Sequence, residues 1–223
     1  MKDFSFDEKI SKDFENHIKN SIPGYEEVLK MCVDFSEWFI RGNSNVYDLG
    51  SSKGTLLKML QERYKNRERV SYKGIETQKG MYCSNYEADN IFFENKDITT
   101  IEHFDNASII YSLFTIQFLP EDKRFNLLEV IYNSLPEGGL FLMAEKFNSK
   151  NSRISEIKKS LLLESKLKNG FTAEEILEKD RSLRGVMNLN SLDKSFDNFS
   201  KLGFSEYETI YLNNNFALYA CIK

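Results

Sequence analysis

The chain has 223 residues, of which 41% are hydrophobic and 29% are charged, values that are ordinary for a globular protein and exclude a wholly disordered chain. With 3 Pro and 11 Gly against 18 Phe and 11 Tyr, the composition also excludes collagen-like and low-complexity sequences. The formal net charge of -4 disfavours the broad contact with phosphate backbones that nonspecific nucleic-acid binders make, so we expect a small-molecule substrate or a specific partner.

The apolar runs and the N-terminus give no membrane signal. The longest runs, such as Ile109 to Phe114, are far shorter than the ~20 residues that span a bilayer, and acidic residues interrupt the N-terminus where a signal peptide would be apolar. We therefore expect a cytoplasmic protein without a membrane segment. The cysteines and histidines are isolated, so neither a disulfide framework nor a metal site is expected: Cys32, Cys83, Cys221, His17 and His103.

The first 42 residues are predicted to form helices. Apolar residues recur at helical spacing before and after Ser21–Tyr25, where Pro23 and Gly24 separate two helices. A short strand follows at Asn45–Leu49, then a turn at Gly50, then a helix over Thr55–Tyr64.

Strands and helices then alternate along the chain. We predict strand Val70–Ile75, helix Gln78–Ala88, strands Ile91–Glu94 and Ser108–Leu113, a helix opened by Pro120 and closed by Pro136–Gly139, and strand Leu140–Ala144. Repeated βα units favour a parallel sheet with helices on both faces.

The last third of the chain breaks this alternation. Residues 148–190 are polar and helical and are predicted to form an inserted cap. A helix over Ser191–Leu202 precedes two extended runs, Phe204–Leu212 and Phe216–Ile222, which flank an Asn-rich turn and predict an antiparallel hairpin. We therefore predict one α/β domain over 1–223 with a Rossmann-like core (43–147 and 191–223). The mostly parallel sheet with a C-terminal antiparallel hairpin is the class I methyltransferase variant of that fold.

The first strand ends in a loop typical of a ligand site. Val46 to Gly54 reads VYDLGSSKG and lies at the carboxyl end of the strand, where such sheets bind ligands. Gly50 allows a turn that a Cβ would forbid, Ser51 and Ser52 leave the backbone accessible, and Asp48 suits a cationic ligand.

Two other kinds of site share parts of this loop pattern. A dinucleotide site needs G-x-G-x-x-G, but Ser52 and Thr55 replace the second and third glycines. A hydrolase nucleophile elbow, G-x-S-x-G, matches Gly50, Ser52 and Gly54, yet His103 is the one downstream histidine and follows too soon in the chain.

A site for S-adenosylmethionine (SAM) fits the loop best. Glu76, with Thr77 beside it, ends the second strand where an acid binds the ribose hydroxyls. After the third strand, Asp97 and Ile98 offer a carboxylate for the adenine amino group and an apolar contact for its ring, although a lone Asp more often caps a turn.

Several ordered blocks extend this interpretation into a family resemblance. From about Phe14 to Lys223 the chain resembles the carboxy-S-adenosyl-L-methionine (carboxy-SAM) synthases of the class I SAM-dependent methyltransferase superfamily. The blocks are SIPGY at 21–25, VYDLG at 46–50, FTIQFL at 114–119, EKF at 145–147 and NGFT at 169–172.

The resemblance implies roles for particular residues. Tyr25 is implied to reach over the cofactor, Gly50 to Ser52 to hold its methionine end, Glu76 its ribose, and Asp97 with Ile98 its adenine. It also implies a lid made from the N-terminal helices and the cap, and commonly a homodimer. Those synthases take a carboxylate-bearing unit from prephenate, and their product is used on tRNA, which implies a specific tRNA connection.

Two positions depart from the family pattern. Leu113 stands where the family has a cofactor-binding asparagine, and Asn198 aligns with the family arginine that binds the added carboxylate. A buried carboxylate needs a charged partner, so the sequence favours methyl transfer to a small molecule or a specific nucleic-acid position. Carboxy-SAM synthesis, with Arg181, Arg184 or Lys146 as the cation, and a noncatalytic SAM-binding domain are the alternatives.

Direct catalysis by one base is not required for methyl transfer, because alignment of the reacting atoms supplies much of the rate. No catalytic residue is therefore assigned. The candidates for contact with a substrate are Tyr111, Gln117, Glu145, Arg181, Arg184 and Asn198.

Overall fold

The computed structural model describes residues 14–81 and 88–223. Within these ranges, seven helices and seven strands follow one another along the chain: α1 (Phe14–Ser21), α2 (Tyr25–Phe35), β1 (Asn45–Leu49), α3 (Thr55–Arg63), β2 (Ser71–Ile75), β3 (Ile91–Glu94), β4 (Ala107–Leu113), α4 (Glu121–Ser134), β5 (Leu140–Lys146), α5 (Ser152–Lys168), α6 (Ala173–Leu183), α7 (Leu192–Leu202), β6 (Glu206–Asn213) and β7 (Phe216–Ile222).

The strands form one sheet in the order β3-β2-β1-β4-β5-β7-β6. The first five strands are parallel, whereas β7 runs antiparallel to both β5 and β6. The order reverses between β1 and β4, and a crevice forms at such a point at the carboxyl ends of the strands. The predicted α/β fold, with a mostly parallel sheet and a C-terminal antiparallel hairpin, is confirmed.

Alternate residues of the strands build two hydrophobic cores, one on each face of the sheet. On β1, Val46 faces the core that contains α2 and α3, while Tyr47 faces the core that contains α4 and α7. On β5, Leu140 and Leu142 face the first core and Phe141 the second. This alternation follows from the two-residue period of a strand.

The cap is built from α5 and α6 and touches the N-terminal helices. Asn169 Nδ2 donates to the carbonyl of Asn20 at 2.9 Å, and the rings of His17 and Phe171 meet edge to face. Between the two cap helices, Gly170 has a φ of +93° and Thr172 begins α6. The NGFT block therefore makes a tight joint between helices.

The same joint carries a capping box. Thr172 Oγ1 accepts from the amide of Glu175 at 3.2 Å, while Glu175 Oε2 accepts from the amide of Thr172 at 2.9 Å. These bonds satisfy amides that the first turn of a helix leaves without partners.

The largest difference from the sequence prediction follows β2. The predicted helix Gln78–Ala88 begins instead as a turn, in which the amide of Met81 donates to the carbonyl of Gln78 at 2.9 Å. The remainder of that helix up to residue 87, together with Cys83 and residues 1–13, lies outside the described residues. No helix in the described ranges combines the length and the apolar character needed to cross a membrane.

Candidate functional site

A cavity of about 580 Å³ opens at the carboxyl ends of the parallel strands. The N-terminal helices α1 and α2 close one side of it, and the cap helices α5 and α6 close another. Its floor is made by the residues that directly follow β1, β2 and β4. Strand-end residues gather here because all five parallel strands finish at the same edge of the sheet.

The turn after β1 packs too tightly for a side chain at Gly50. Its φ is +79°, and a Cβ there would lie 2.1 Å from Thr115 Oγ1, which follows β4. The amides of Gly50 and Ser51 both donate to the carbonyl of Ile75, at 2.8 and 3.1 Å. Ser52 also has a left-handed conformation, with a φ of +48°. The turn is thus held in a conformation that favours glycine and exposes its backbone to the cavity.

Two carboxylates stand beside this turn. Glu76 accepts from the amides of Ser52 at 3.1 Å and Gln78 at 2.8 Å, and burial raises its pKa despite these bonds. Asp48 is 5% exposed, and burial together with the charge of Glu76 raises its pKa to about 7. Both acids are therefore desolvated groups that a cationic or hydroxyl-bearing ligand would stabilise in the charged form.

Asp97 caps a turn and also lines the cavity. The turn is the short 3₁₀ turn Ile98–Thr100, and Asp97 caps it because its Oδ1 accepts from the amide of Thr99 at 2.8 Å. Ile98 is buried and lines the same wall.

Aromatic packing forms the wall between β4 and the N-terminal helices. Phe114 has a φ of +59°, unusual for a residue with a side chain, and its amide donates to the carbonyl of Ala144 at 2.7 Å. Its ring centroid lies 6.0 Å from that of Tyr25 and 6.1 Å from that of Phe216. Gly24, with a φ of +75°, brings Tyr25 to the start of α2.

All ten residues assigned to the cofactor line this one cavity. They are Tyr25, Asp48, Gly50, Ser51, Ser52, Glu76, Thr77, Asp97, Ile98 and Leu113.

The hydroxyls of the first loop support the fit of a polar ligand. Ser51 Oγ and Ser52 Oγ are buried and have no hydrogen-bond partner among the described residues. Buried hydroxyls normally have one. SAM carries amino, carboxylate and hydroxyl groups, so the residues present suit it.

The substrate candidates Tyr111 and Glu145 lie within strands and are buried away from the cavity. Tyr111 is fully buried beneath α2 and hydrogen-bonds Ser36, because its position on β4 turns its side chain into the first core. Glu145 is 1% exposed and forms an ion pair with Arg124 on α4. Both side chains are thus directed into the two cores, and a contact with a substrate stays a prediction for them.

The three candidates from the late part of the chain also lie outside the lining. Arg184 is exposed and bonds Asp180 at 2.8 Å, and Arg181 is exposed on α6. Asn198 is buried on α7, next to a separate shallow depression that also contains Glu121 and Lys194. A contact of these side chains with a substrate stays a prediction.

Gln117 does line the cavity. Its Oε1 accepts from the amide of Lys146 at 2.8 Å, which ties the loop after β4 to the end of β5. Its carbonyl also accepts from the amide of Asn188, the residue where the chain returns from the cap, at 2.7 Å.

The geometry argues against a hydrolase triad. His103 is absent from the cavity lining, and its Nδ1 lies 3.2 Å from Ser134 Oγ. His103, the downstream histidine that a triad in this chain order would need, therefore does not lie beside Ser52. The described residues contain no group of three or more His, Cys, Asp or Glu side chains that could hold a metal ion.

Two cationic residues of the lining, both on the cap, were not predicted from the sequence. Lys166 of α5 and Lys179 of α6 reach the cavity together with Lys146 at the end of β5. A usable signal was present: Lys166 follows buried Leu162 by four residues, and Lys179 follows buried Ile176 by three, so each lysine shares a helix face with an anchoring apolar residue.

Comparison with curated proteins identifies relatives over the full chain. The chain is 32% identical over 219 residues to a carboxy-S-adenosyl-L-methionine synthase from Staphylococcus epidermidis, covering 97% of this chain and 95% of that protein. It is 31% identical to the synthase of that name from Vibrio parahaemolyticus, covering 99% and 92%. No protein-family model matches the chain.

Comparison with solved structures identifies methyltransferase folds. Haemonchus contortus phosphoethanolamine N-methyltransferase 2, in complex with SAM, aligns with a TM-score of 0.67 at 13% identity, over 97% of this chain and 57% of that one. A putative Haloferax volcanii methyltransferase complex with the Trm112 activator gives 0.63 at 13% identity, over 96% of both chains.

Strand order, glycine turn and strand-end acids together define a domain of the class I SAM-dependent methyltransferase type. Within that class, the full-length relatives are more specific than the fold. The chain belongs to the carboxy-S-adenosyl-L-methionine synthase family.

Proposed function

We propose that this chain synthesises carboxy-SAM from SAM and prephenate. The ring carboxyl of prephenate leaves as CO2 while the ring becomes aromatic and expels its hydroxyl, which leaves phenylpyruvate. The methyl group of SAM loses a proton, its carbon forms the new C–C bond to that CO2, and the proton and the hydroxide leave as water. Membership of the family makes the chain a SAM-dependent transferase. The sequence alone favoured methyl transfer, but full-length relatives named as carboxy-SAM synthases support the alternative more strongly than remote methyltransferase folds do.

Lys146 is the observation that carries the proposal. This half-buried lysine ends β5 and lines the same cavity as the SAM-binding candidates. Burial lowers its pKa, as do the positive charges of Lys166 and Lys159, whereas Asp180 raises it. A desolvated ammonium gains from a nearby anion, and a carboxylated SAM bears a carboxylate that plain SAM lacks next to its sulfonium.

In this proposal, Lys146 takes the place of the family arginine. Asn198 lines a separate depression and not the cavity. Lys146 supplies a cation from the core of the sheet instead. The amide of Lys146 donates to Gln117 Oε1, and this bond holds the backbone from which the lysine side chain extends.

The acids are assigned to SAM itself. Glu76 would accept hydrogen bonds from the ribose hydroxyls, Asp48 would face the amino end, and Asp97 with Ile98 would hold the adenine. Each assignment follows from the strand that the residue terminates and from its place in the lining. Methyl transfer and noncatalytic SAM binding would use the same acids, but neither would provide a carboxylate for Lys146 to bind.

Mass spectrometry of reaction products tests the proposal. Purified protein incubated with SAM and prephenate is expected to form carboxy-SAM, and neither compound alone is expected to give it. Lys146→Gln should slow formation at least about tenfold, the effect of losing a hydrogen bond to a charged group. Lys150→Gln is the matched control, because that lysine is exposed and pairs with Asp193.

Methyl transfer from SAM to another acceptor, with no carboxy-SAM formed at any prephenate concentration, would contradict the proposal. SAM binding without turnover under any of these conditions would instead support the noncatalytic alternative.

A further inference from the structure

The acidic and the basic side chains of the cavity come from different parts of the fold. Among the described residues that line it, four carboxylates lie on α1, within β1 and after β2 and β3, whereas three ammonium groups lie at the end of β5 and on the cap helices. The acids are Glu15, Asp48, Glu76 and Asp97, and the bases are Lys146, Lys166 and Lys179. The acidic side is the side assigned to SAM.

The two cap lysines are built into the lining by their helices. Leu162 is the buried residue of α5 and Ile176 the buried residue of α6, and both anchor the cap. Lys166 and Lys179 lie one turn further along the same helix faces and are partly buried. Lys168, two residues beyond Lys166, is exposed and lies outside the lining.

Burial and neighbouring positive charge destabilise the charged forms of these lysines. Burial is the largest cause that lowers the pKa of each of them. The charge of Lys166 further lowers the pKa values of Lys146 and Lys179. Asp180 acts in the opposite direction on Lys146 and Lys166, but it lies outside the lining and bonds Arg184. A bound anion would therefore stabilise all three charged forms.

The surroundings favour carboxylate over phosphate as that anion. Phosphate sites usually add backbone amides from a helix N-terminus or a glycine-rich nest. Lys166 lies in the last turn of α5, where the helix presents carbonyls, and Lys179 lies within α6. Separate lysines on three elements suit carboxylates that are spread over one small molecule.

We propose that Lys166 and Lys179 bind the second carboxylate of a dicarboxylate donor, while Lys146 faces the carboxyl group that is joined to SAM. This inference rests on the proposed function for the direction of transfer, and it makes the cap lysines specificity-determining residues for the donor. Because both sit on the cap, a dianion links the cap to the end of β5. Neutral acceptors and monocarboxylates lack the second contact.

Calorimetric titration of prephenate into protein saturated with S-adenosylhomocysteine (SAH) tests the site without turnover, because SAH has no methyl group to react. The wild type is expected to bind prephenate. Lys166→Gln combined with Lys179→Gln should weaken that binding about tenfold or more, the effect expected for losing charged hydrogen bonds. SAH affinity should stay within about twofold, since its assigned contacts lie on the acidic side. Lys168→Gln is the matched control and should change neither affinity.

The outcomes separate the two proposals. If the wild type makes no carboxy-SAM but the double variant loses prephenate binding selectively, the donor site stands and the proposed function falls. Unchanged prephenate affinity in the double variant overturns the donor site. So does an equal loss of SAH affinity, which would indicate a structural role, and so does a wild type that fails to bind prephenate.

Discussion

The buried ion pair between Arg124 and Glu145 offers a strong test of how the site is supported. The two side chains are 2% and 1% exposed. Around them, Ser195 Oγ donates to Glu145 Oε1 at 3.1 Å, and Arg124 Nη1 donates to the carbonyl of Asn188 at 2.9 Å. Asn188 lines the cavity, so the pair connects the second core to the cap's return segment.

Removing one charge of this pair should lower the free energy of unfolding more than removing both. Arg124→Met leaves a carboxylate buried without its cation, and Glu145→Leu leaves a guanidinium without its anion. Each should destabilise the fold by about 3 to 5 kcal/mol, the usual effect of breaking a buried pair. The double variant has no uncompensated charge, keeps a similar side-chain volume, and should lose less than about 3 kcal/mol.

Urea unfolding of the wild type and the three variants at neutral pH measures these differences. A double variant as unstable as the sum of the two single variants would refute the pairing argument, since independent sites are additive. The kinetics give a second check. The double variant should fold yet show a raised KM for prephenate, because the carbonyl of Asn188 has lost its donor, while SAM affinity is retained.

Three further substitutions test the SAM side of the cavity. Burial raises the pKa of Asp48 to about 7, so the folded state keeps a proton that the unfolded state releases near pH 4. This acid therefore lowers the free energy of unfolding of the ligand-free protein as the pH rises from about 4 to about 7. In Asp48→Asn, the free energy of unfolding should fall less steeply across this pH range. A slope equal to that of the wild type would refute the raised pKa of Asp48. Glu76→Ala should weaken SAM binding by calorimetry about ten- to hundredfold, through lost charged hydrogen bonds; equal affinity in a folded protein would rule out the ribose contact. Gly50→Ala should abolish measurable SAM binding, because its Cβ would meet Thr115, and normal affinity would show that the turn tolerates the change.

The fold was largely predictable because its signals are local. The period of two in the strands, the helical spacing of apolar residues and the glycine turns each occupy a few residues, and together they predicted the parallel sheet and the final hairpin. Of the helix expected over Gln78–Ala88, the described residues 79–81 form a turn, just after the amide of Gln78 donates to the Glu76 side chain. The homodimer and the cytoplasmic location stay predictions.

The site was predictable where it follows strand ends and unpredictable elsewhere. Residues such as Gly50 and Glu76 line the cavity because any residue at the end of a parallel strand faces that edge. Tyr111 and Glu145 lie within strands, where the side-chain direction decides between core and cavity and depends on register. Lys166 had no visible role because a lysine on a polar helix normally faces solvent.

Phe114 links backbone conformation to the durability of the protein. A left-handed φ of +59° disfavours a residue with a side chain by about 1 to 2 kcal/mol, so the main chain alone would favour glycine at this point. The ring, however, packs against Tyr25 and Phe216, and glycine would detach the start of α2 from the sheet. Removing a Phe side chain from a core costs about 3 to 5 kcal/mol, more than the strain, so Phe114→Gly should lower the free energy of unfolding and loosen this wall of the cavity together.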